Sequence, residues 1–168
     1  MKSYVLLIIV IIYLAICSIP GYASSDIEIV MNGTLPYDKS VTIGTAFNNF
    51  SYFESKKWIP RKEENKGRLV IFIGKLDLGK LNQYNKVLNG LQAAFVRVVF
   101  SISIDNSVEV KSFSYQILLP GEFKLLDCDV DTQVSLKDFV LNIYKNDSKS
   151  GLILSNDLAK AFPLLRPR

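Results

Sequence analysis

The sequence of 168 residues contains no histidine and only two cysteines, Cys17 and Cys128. Without an imidazole, the Ser-His-Asp triad, the Cys-His pair and His-ligated zinc are excluded. Two cysteines are too few for the disulfide scaffold of a small secreted protein. The nine glycines are scattered, so no glycine loop of the phosphate-binding kind is present. These absences favour a binding role over a catalytic one.

The chain opens with a segment of the secretory type. Lys2 supplies one positive charge, an apolar run extends from Val5 to Ile16, and Pro20 precedes Gly21-Tyr22-Ala23, in which the two small residues are two positions apart. This order of charge, apolar core and small-x-small site is typical of a signal peptide. Residues 1–23 are therefore predicted to be a leader that is cleaved after Ala23, and the protein is predicted to be periplasmic or secreted.

Two other fates of this segment stay open. An uncleaved leader would anchor the chain, although the stretch from Tyr4 to Ile19 is shorter than the roughly 20 residues that cross a bilayer. Lipidation of Cys17 would also anchor it, although Ile16 stands where such sites carry a small residue. Cleavage would leave Cys128 without an internal partner, between two aspartates that disfavour a thiolate. We therefore expect Cys128 to be buried or inert.

Residues 24–168 are predicted to form a single exported domain, because no repeat, linker or low-complexity tract divides them. A helix is expected to start at Ser40 or Thr42. Its apolar face is spaced at i, i+3, i+4 and i+7, and consists of Ile43, Ala46, Phe47 and Phe50. Gly44 within this helix costs stability relative to alanine, which indicates that another backbone approaches closely there.

The strand pattern is clearest in the middle of the chain. Ala93–Asp105 alternates along its length, with Ile104 on the apolar face, and Val108–Leu119 is predicted to return as its hairpin partner. The parity of the apolar residues changes along the second strand, so a bulge is expected near Lys111-Ser112. A short strand or an ordered arm is predicted at Asp26–Met31 and a strand at Arg68–Ile73, with a charged loop at Arg61–Gly67 between them.

The remaining segments predict helices and loops. Lys75–Gln92 is expected to be a long loop with at least one helical turn, and Trp58 to close the core against the end of the first helix. Ser135 and Asp138 form a partial capping box ahead of the last main helix, whose predicted apolar stripe consists of Leu136, Phe139, Val140, Ile143 and Tyr144. Asn146–Gly151 is expected to be a loop and Leu158–Phe162 a short terminal helix. The fold class is α+β, an antiparallel sheet of three to four strands with helices packed on one face.

Four aspartates resemble the start of a calcium-binding loop, and they are Asp127, Asp129, Asp131 and Asp138. Such a loop places oxygen ligands at alternate positions, with glycine at position 6 and glutamate at position 12. Here position 6 is Thr132 and position 12 is an aspartate. These residues are therefore only weak candidates for a metal site, and a polar turn before a helix is the simpler interpretation. No cofactor is expected.

The one notable basic cluster is interrupted by two glutamates, and it contains Lys56, Lys57, Arg61, Lys62 and Lys66. A nucleic-acid-binding protein would need a patch of one sign with polar or aromatic readers. The cluster instead indicates a solvated loop, with contact to an anionic lipid or polysaccharide as the alternative. No nucleic-acid partner is expected.

Three short motifs follow one another in the order Thr42-Ile43-Gly44-Thr45-Ala46-Phe47, Trp58 and Val70-Ile71-Phe72-Ile73-Gly74. This order resembles a pattern of small exported bacterial proteins that are uncharacterised, in which T-[IV]-G-x-A-[FL] is followed by a tryptophan and V-x-F-x-G. The resemblance covers residues 30–144 and implies no catalytic residues. At the level of fold, the chain is also similar to small lipoproteins of outer-membrane barrel assembly and to secreted β-lactamase-inhibitor-like modules.

These observations predict an exported, non-enzymatic domain that binds another protein of the envelope or the extracellular space. Membrane contact is expected only if the leader is retained or Cys17 is lipidated. Tyr37, Tyr52 and Phe95 are expected to be exposed and are candidate contacts, because aromatic residues are enriched at interfaces. The alternative is a small-ligand or calcium-binding secreted protein.

Overall fold

The computed structural model describes residues 22–63, 67–122, 124–129 and 133–161. The predicted leader up to Gly21, including Cys17, lies outside these residues, as do Lys66 and Asp131. The helices are α1 Tyr22–Asn32, α2 Ile43–Asn49, α3 Leu78–Leu81, α4 Gln133–Lys145 and α5 Ser148–Ala161, with a 3₁₀ helix at Lys86–Gly90. The strands are β1 Phe53–Glu63, β2 Gly67–Leu76, β3 Ala93–Ile102, β4 Val108–Leu118 and β5 Leu126–Asp129.

The five strands form one antiparallel sheet in the order β1-β2-β3-β4-β5. The α+β class is confirmed, and the sheet has more strands than the three to four predicted. β1 replaces much of the predicted charged loop, since the strand runs on through Arg61 and Lys62. An edge strand can carry lysines and Pro60 because it pairs on one side only, and such residues discourage further pairing.

The N-terminal segment is a helix, so the strand predicted at Asp26–Met31 is wrong. Alternation over so few residues is a weak signal, and tertiary contacts decide the outcome. Asp26 and Val30 are four residues apart, so a helix brings both to one face, and both are buried. The Arg68 guanidinium on β2 donates from Nε at 2.8 Å and from Nη2 at 2.6 Å to Asp26 Oδ1, which ties α1 to the sheet.

Helix α2 confirms the predicted cap and apolar face. The Thr42 side chain accepts a hydrogen bond from the Thr45 backbone amide at 3.2 Å, and the four predicted face residues are buried. The close approach at Gly44 is also confirmed. A Cβ atom there would lie 2.9 Å from both the carbonyl oxygen and the Cβ of Met31, so α1 and α2 can pack only because Gly44 has no side chain.

The central hairpin has the predicted strands and the predicted bulge. Val99 pairs with Ser112, whereas the next residue, Phe100, pairs with Val110. One extra residue at Lys111 therefore restores the apolar parity of β4. The expectation for Ile104 is wrong: β3 ends at Ile102, and Ile104 at the hairpin tip is fully exposed.

The C-terminal helices are longer than predicted. In α4 the predicted apolar stripe is confirmed, with Phe139 stacked on Phe113 of β4 at 4.5 Å. The predicted capping box is wrong, because α4 begins at Gln133, before Ser135. The loop predicted before the terminal helix ends at Asp147, whose Oδ1 accepts from the Ser150 amide at 2.8 Å. This local bond starts α5 earlier than its apolar pattern indicates.

An aromatic cluster joins α2 to the sheet. The Phe47 ring lies 5.0 Å from Phe72 and 5.5 Å from Phe100. Trp58 packs on Phe72 at 4.7 Å and donates from Nε1 to Asn48 Oδ1 at 3.0 Å. The predicted role of Trp58 in closing the core is confirmed, although the residue lies on β1. Among the described helices, none has the length and apolar content needed to cross a membrane.

Candidate functional site

Alternate side chains of β1 to β4 point away from the aromatic core and form a second face of the sheet. We call it the open face. Its apolar and basic residues include Lys57, Ile59, Arg61, Leu69, Ile71, Ile73, Arg97, Val99 and Lys111, and the same register places Ser101, Glu109, Ser112 and Ser114 on this face. Cross-strand pairing places Ile59 beside Ile71 and Ile71 beside Val99. An apolar row therefore crosses three strands on the side opposite the core.

The centre of the open face is an apolar column on β2. Leu69 and Ile71 are buried, with relative exposures of 8% and 7%, and Ile73 is half-buried. Arg61, Arg97 and Lys111 of the neighbouring strands line the same cleft, and long basic side chains can cover apolar surface with their stems while their charges stay in water. The column is therefore a preformed apolar floor beneath a charged rim.

A cleft of about 510 Å³ opens on this floor, and the described residues that line it all belong to strands. Among these residues Arg61, Arg97 and Lys111 are cationic and none is acidic. Lys111 Nζ lies 3.5 Å from Glu109 Oε2, in a pair that is more than half exposed and is therefore weakly held. The cleft combines an apolar base with a positive rim.

Arg97 on β3 differs from Arg68, which lies on the neighbouring strand β2. The Arg68 guanidinium donates to Asp26 and, from Nη1, to Asn106 Oδ1 at 3.0 Å. Within the part of the chain that the structure describes, Arg97 has no hydrogen bond or ion pair. It is half-buried on the central strand, between Ile73 and Ser114. The fold thus provides hydrogen-bond acceptors for the Arg68 guanidinium and leaves the Arg97 guanidinium available to an external anion.

Of the four aspartates of the calcium hypothesis, Asp131 and the side chain of Asp129 lie outside the described part of the structure. Asp127 lies in β5 and its Oδ1 accepts from Gln116 Nε2 at 2.6 Å. Asp129 ends β5, and Asp138 is exposed on α4. Burial raises the pKa of Asp157, and the charge of Asp138 adds to that increase. The residues described contain no group of three or more acidic or cysteine side chains placed to hold a metal ion.

The residues predicted as partner contacts differ in their exposure. Tyr37 is exposed and Phe95 is half-buried on the strand that carries Arg97, whereas Tyr52 is buried, so its predicted exposure is wrong. Cys128 pairs through its backbone with Tyr115 in the sheet, and its side chain lies outside the described part. The basic cluster is divided by the pleat, so that Lys57 and Arg61 belong to the open face.

Tyr52 belongs to a structural cluster rather than to an accessible site. Its hydroxyl lies 3.1 Å from the Tyr84 hydroxyl, and burial, followed by the contact with Tyr84, raises the pKa of Tyr52 to about 12. A Cβ atom on Gly151 would collide with Tyr52 Cζ. The ring thus packs against the first turn of α5, and its polar end is held by neighbours within the fold.

A second cleft runs along the other end of the sheet but satisfies its own charges. Its lining includes Glu54, Lys75 and Asp77. Lys75 Nζ lies 2.8 Å from Glu54 Oε2, and Lys80 Nζ lies 3.5 Å from Asp77 Oδ2. Because each acid already has a cation beside it, this cleft offers an incoming charged group less than the open face does.

The sequence contained two signals for the open face. The run Leu69–Ile73 is apolar at every position, which is typical of a strand buried on both faces, and Arg97 interrupts the apolar residues on one face of β3. The cleft itself could not be predicted, because it requires Arg61, Arg97 and Lys111 to be brought together by pairing of strands. Comparison of the chain with known protein families, curated proteins and solved structures finds no match.

Proposed function

We propose that this chain is an exported, non-enzymatic binding domain and that its open face docks another protein of the envelope or the extracellular space. In this proposal the helices cover one face of the sheet and a partner covers the other. The observation that carries it is the apolar column of β2, formed by Leu69, Ile71 and Ile73 on the side where described residues of the strands line a cleft.

The composition of β2 supports this reading. A strand with one solvated face normally alternates apolar and polar residues, whereas a strand covered on both faces is apolar throughout. Between Leu69 and Ile73 no polar residue faces the open side. A cleft that combines an apolar base with a few charged groups at its rim is typical of a binding site.

Site-specific crosslinking tests the docking surface directly. A photoreactive phenylalanine analogue at Ser112, an exposed residue at the lip of the cleft, should yield a discrete protein adduct in cells that export the chain. The matched control carries the same analogue at Lys137, which is exposed on α4. Absence of an adduct at Ser112, or equal adducts at both positions, would contradict docking at the open face.

A small anionic amphiphile is the second candidate, favoured by the volume of the cleft. Its size of about 510 Å³ is within the range of small-molecule pockets, about 300–1,000 Å³. An acyl or aryl group could rest on Ile71 and Val99 while an acidic group meets Arg97. Native mass spectrometry of the purified protein would then show a bound small molecule, and the crosslinker at Ser112 would give no protein adduct.

A further inference from the structure

We propose that the open face receives an acidic amphipathic helix of a partner protein, aligned with β2. This inference rests on the proposed function and specifies the chemistry of the partner. The helix would lay its apolar stripe on Leu69, Ile71 and Ile73, and acidic residues on both borders of that stripe would meet cations of β1 and β3. The central border contact would be a carboxylate on the Arg97 guanidinium.

The dimensions of the open face match one helix. A strand rises about 3.3 Å per residue, so Lys57 and Arg61 are about 13 Å apart along β1, and β1 lies about 10 Å from β3 across the sheet. An α-helix with its side chains is about 10–12 Å wide and rises about 1.5 Å per residue. A segment of about nine residues therefore covers the apolar column and reaches the cations on both sides.

The order of side chains across the strands provides the charge complementarity. On β1, Ile59 lies between Lys57 and Arg61, and on β3 Val99 follows Arg97, with Lys111 of β4 beyond. The apolar column is thus bordered by positive charge on two sides. A helix with basic borders would place like charges together, so the face discriminates in favour of acidic partners.

Arg97 supplies the directional contact. Its guanidinium is planar and presents parallel N–H donors that suit a carboxylate. Within the described residues no acceptor occupies it, and its half-buried position beside Ile71 and Val99 removes part of the competing water. A carboxylate from a partner would therefore accept hydrogen bonds from Arg97, as Asp26 accepts them from Arg68 on the opposite face.

The test uses a labelled peptide of about 14 residues, close to the length at which isolated helices become stable. Leucines at helical spacing form its stripe, and glutamates occupy both borders. A matched peptide carries lysines instead. Fluorescence anisotropy is measured with the mature protein, with Arg97→Glu, with Arg97→Lys and with Lys137→Glu, which makes the same charge change on α4.

We expect the acidic peptide to bind and the lysine peptide to remain free. Arg97→Glu should weaken binding about tenfold or more, and Arg97→Lys several-fold, because it keeps the charge but loses the fork. Lys137→Glu should change affinity by less than about twofold. Circular dichroism tests whether each variant is folded. If Arg97→Glu does not fold, the affinity of Arg97→Lys tests the role of Arg97 instead.

Four results would overturn the inference. One is no binding of the acidic peptide at about 1 mM, and another is equal weakening by Arg97→Glu and Lys137→Glu. The third is Arg97-dependent binding to phosphatidylglycerol vesicles without binding to the peptide, which would assign the face to a membrane. A crosslinked protein adduct at Ser112 that persists unchanged in Arg97→Glu would refute the acidic helix while leaving protein docking intact.

Discussion

Replacement of Gly44 by alanine is expected to destabilise the protein, although alanine is the better helix former. A methyl group at this position would meet the Cβ and the carbonyl oxygen of Met31, each at 2.9 Å, and its Cα at 3.1 Å. Two of these three atoms belong to the backbone of α1 and cannot rotate away. The substitution therefore forces α1 and α2 apart.

The expected magnitude follows from two opposing effects. Alanine gains about 1 kcal/mol over glycine within a helix, whereas overpacking a tight contact costs about 1–3 kcal/mol or more. Because the contact is with backbone, we place the cost at the upper end and expect a net loss of about 1–2 kcal/mol. For a domain of this size that corresponds to a melting temperature lower by about 2–8 °C.

Gly79→Ala is the matched control, because a Cβ atom there would meet only the Asp77 side chain, at 3.2 Å. It should leave stability unchanged or raise it by up to about 1 kcal/mol. Urea unfolding followed by Trp58 fluorescence suits the measurement, since Trp58 packs on Phe47 of α2. A Gly44→Ala protein as stable as the parent would refute the close-packing argument.

Three further substitutions test other contacts. Asp26→Ala should cost about 3 kcal/mol in urea unfolding because it leaves Arg68 without its buried partner, whereas Glu54→Ala in an exposed pair should cost less than about 1 kcal/mol. Asn146→Ala should cost about 2–3 kcal/mol, since the side chain makes three hydrogen bonds and the backbone has φ of 47°; Asn146→Gly, which tolerates that φ, should lose less. Burial raises the pKa of Tyr52 to about 12, so the folded state retains a proton that the unfolded state loses above about pH 10. Its contribution to stability is complete below about pH 10 and lost toward pH 12, and Tyr52→Phe should flatten the stability curve across that interval.

Local signals in the sequence were sufficient for several elements. The spacing of Ile43 to Phe50 and the Thr42 cap defined α2, because helix periodicity and capping depend on residues within one or two turns. The parity change in β4 predicted the bulge at Lys111, because an extra residue necessarily reverses which side chains face the core. Gly44 indicated a close backbone approach without naming Met31 as the partner.

Elements that depend on distant partners could not be assigned in this way. Asp26–Met31 alternates like a strand, and it forms a helix because Arg68, 42 residues away in sequence, accommodates Asp26 at the sheet. β1 contains the residues of a solvated loop, and it forms a strand because β2 supplies its hydrogen bonds. In both cases long-range pairing outweighs a weak local preference.

The sequence by itself determined the class of the domain and the absence of imidazole chemistry, since composition and short-range periodicity carry both. Tertiary structure alone decided where binding could occur. Arg61, Arg97 and Lys111 lie on three different strands, and only antiparallel pairing with the bulge of β4 brings them around Leu69 and Ile71. Whether a guanidinium is satisfied by its own chain, as Arg68 is, or left for another molecule, depends on contacts that no local pattern encodes.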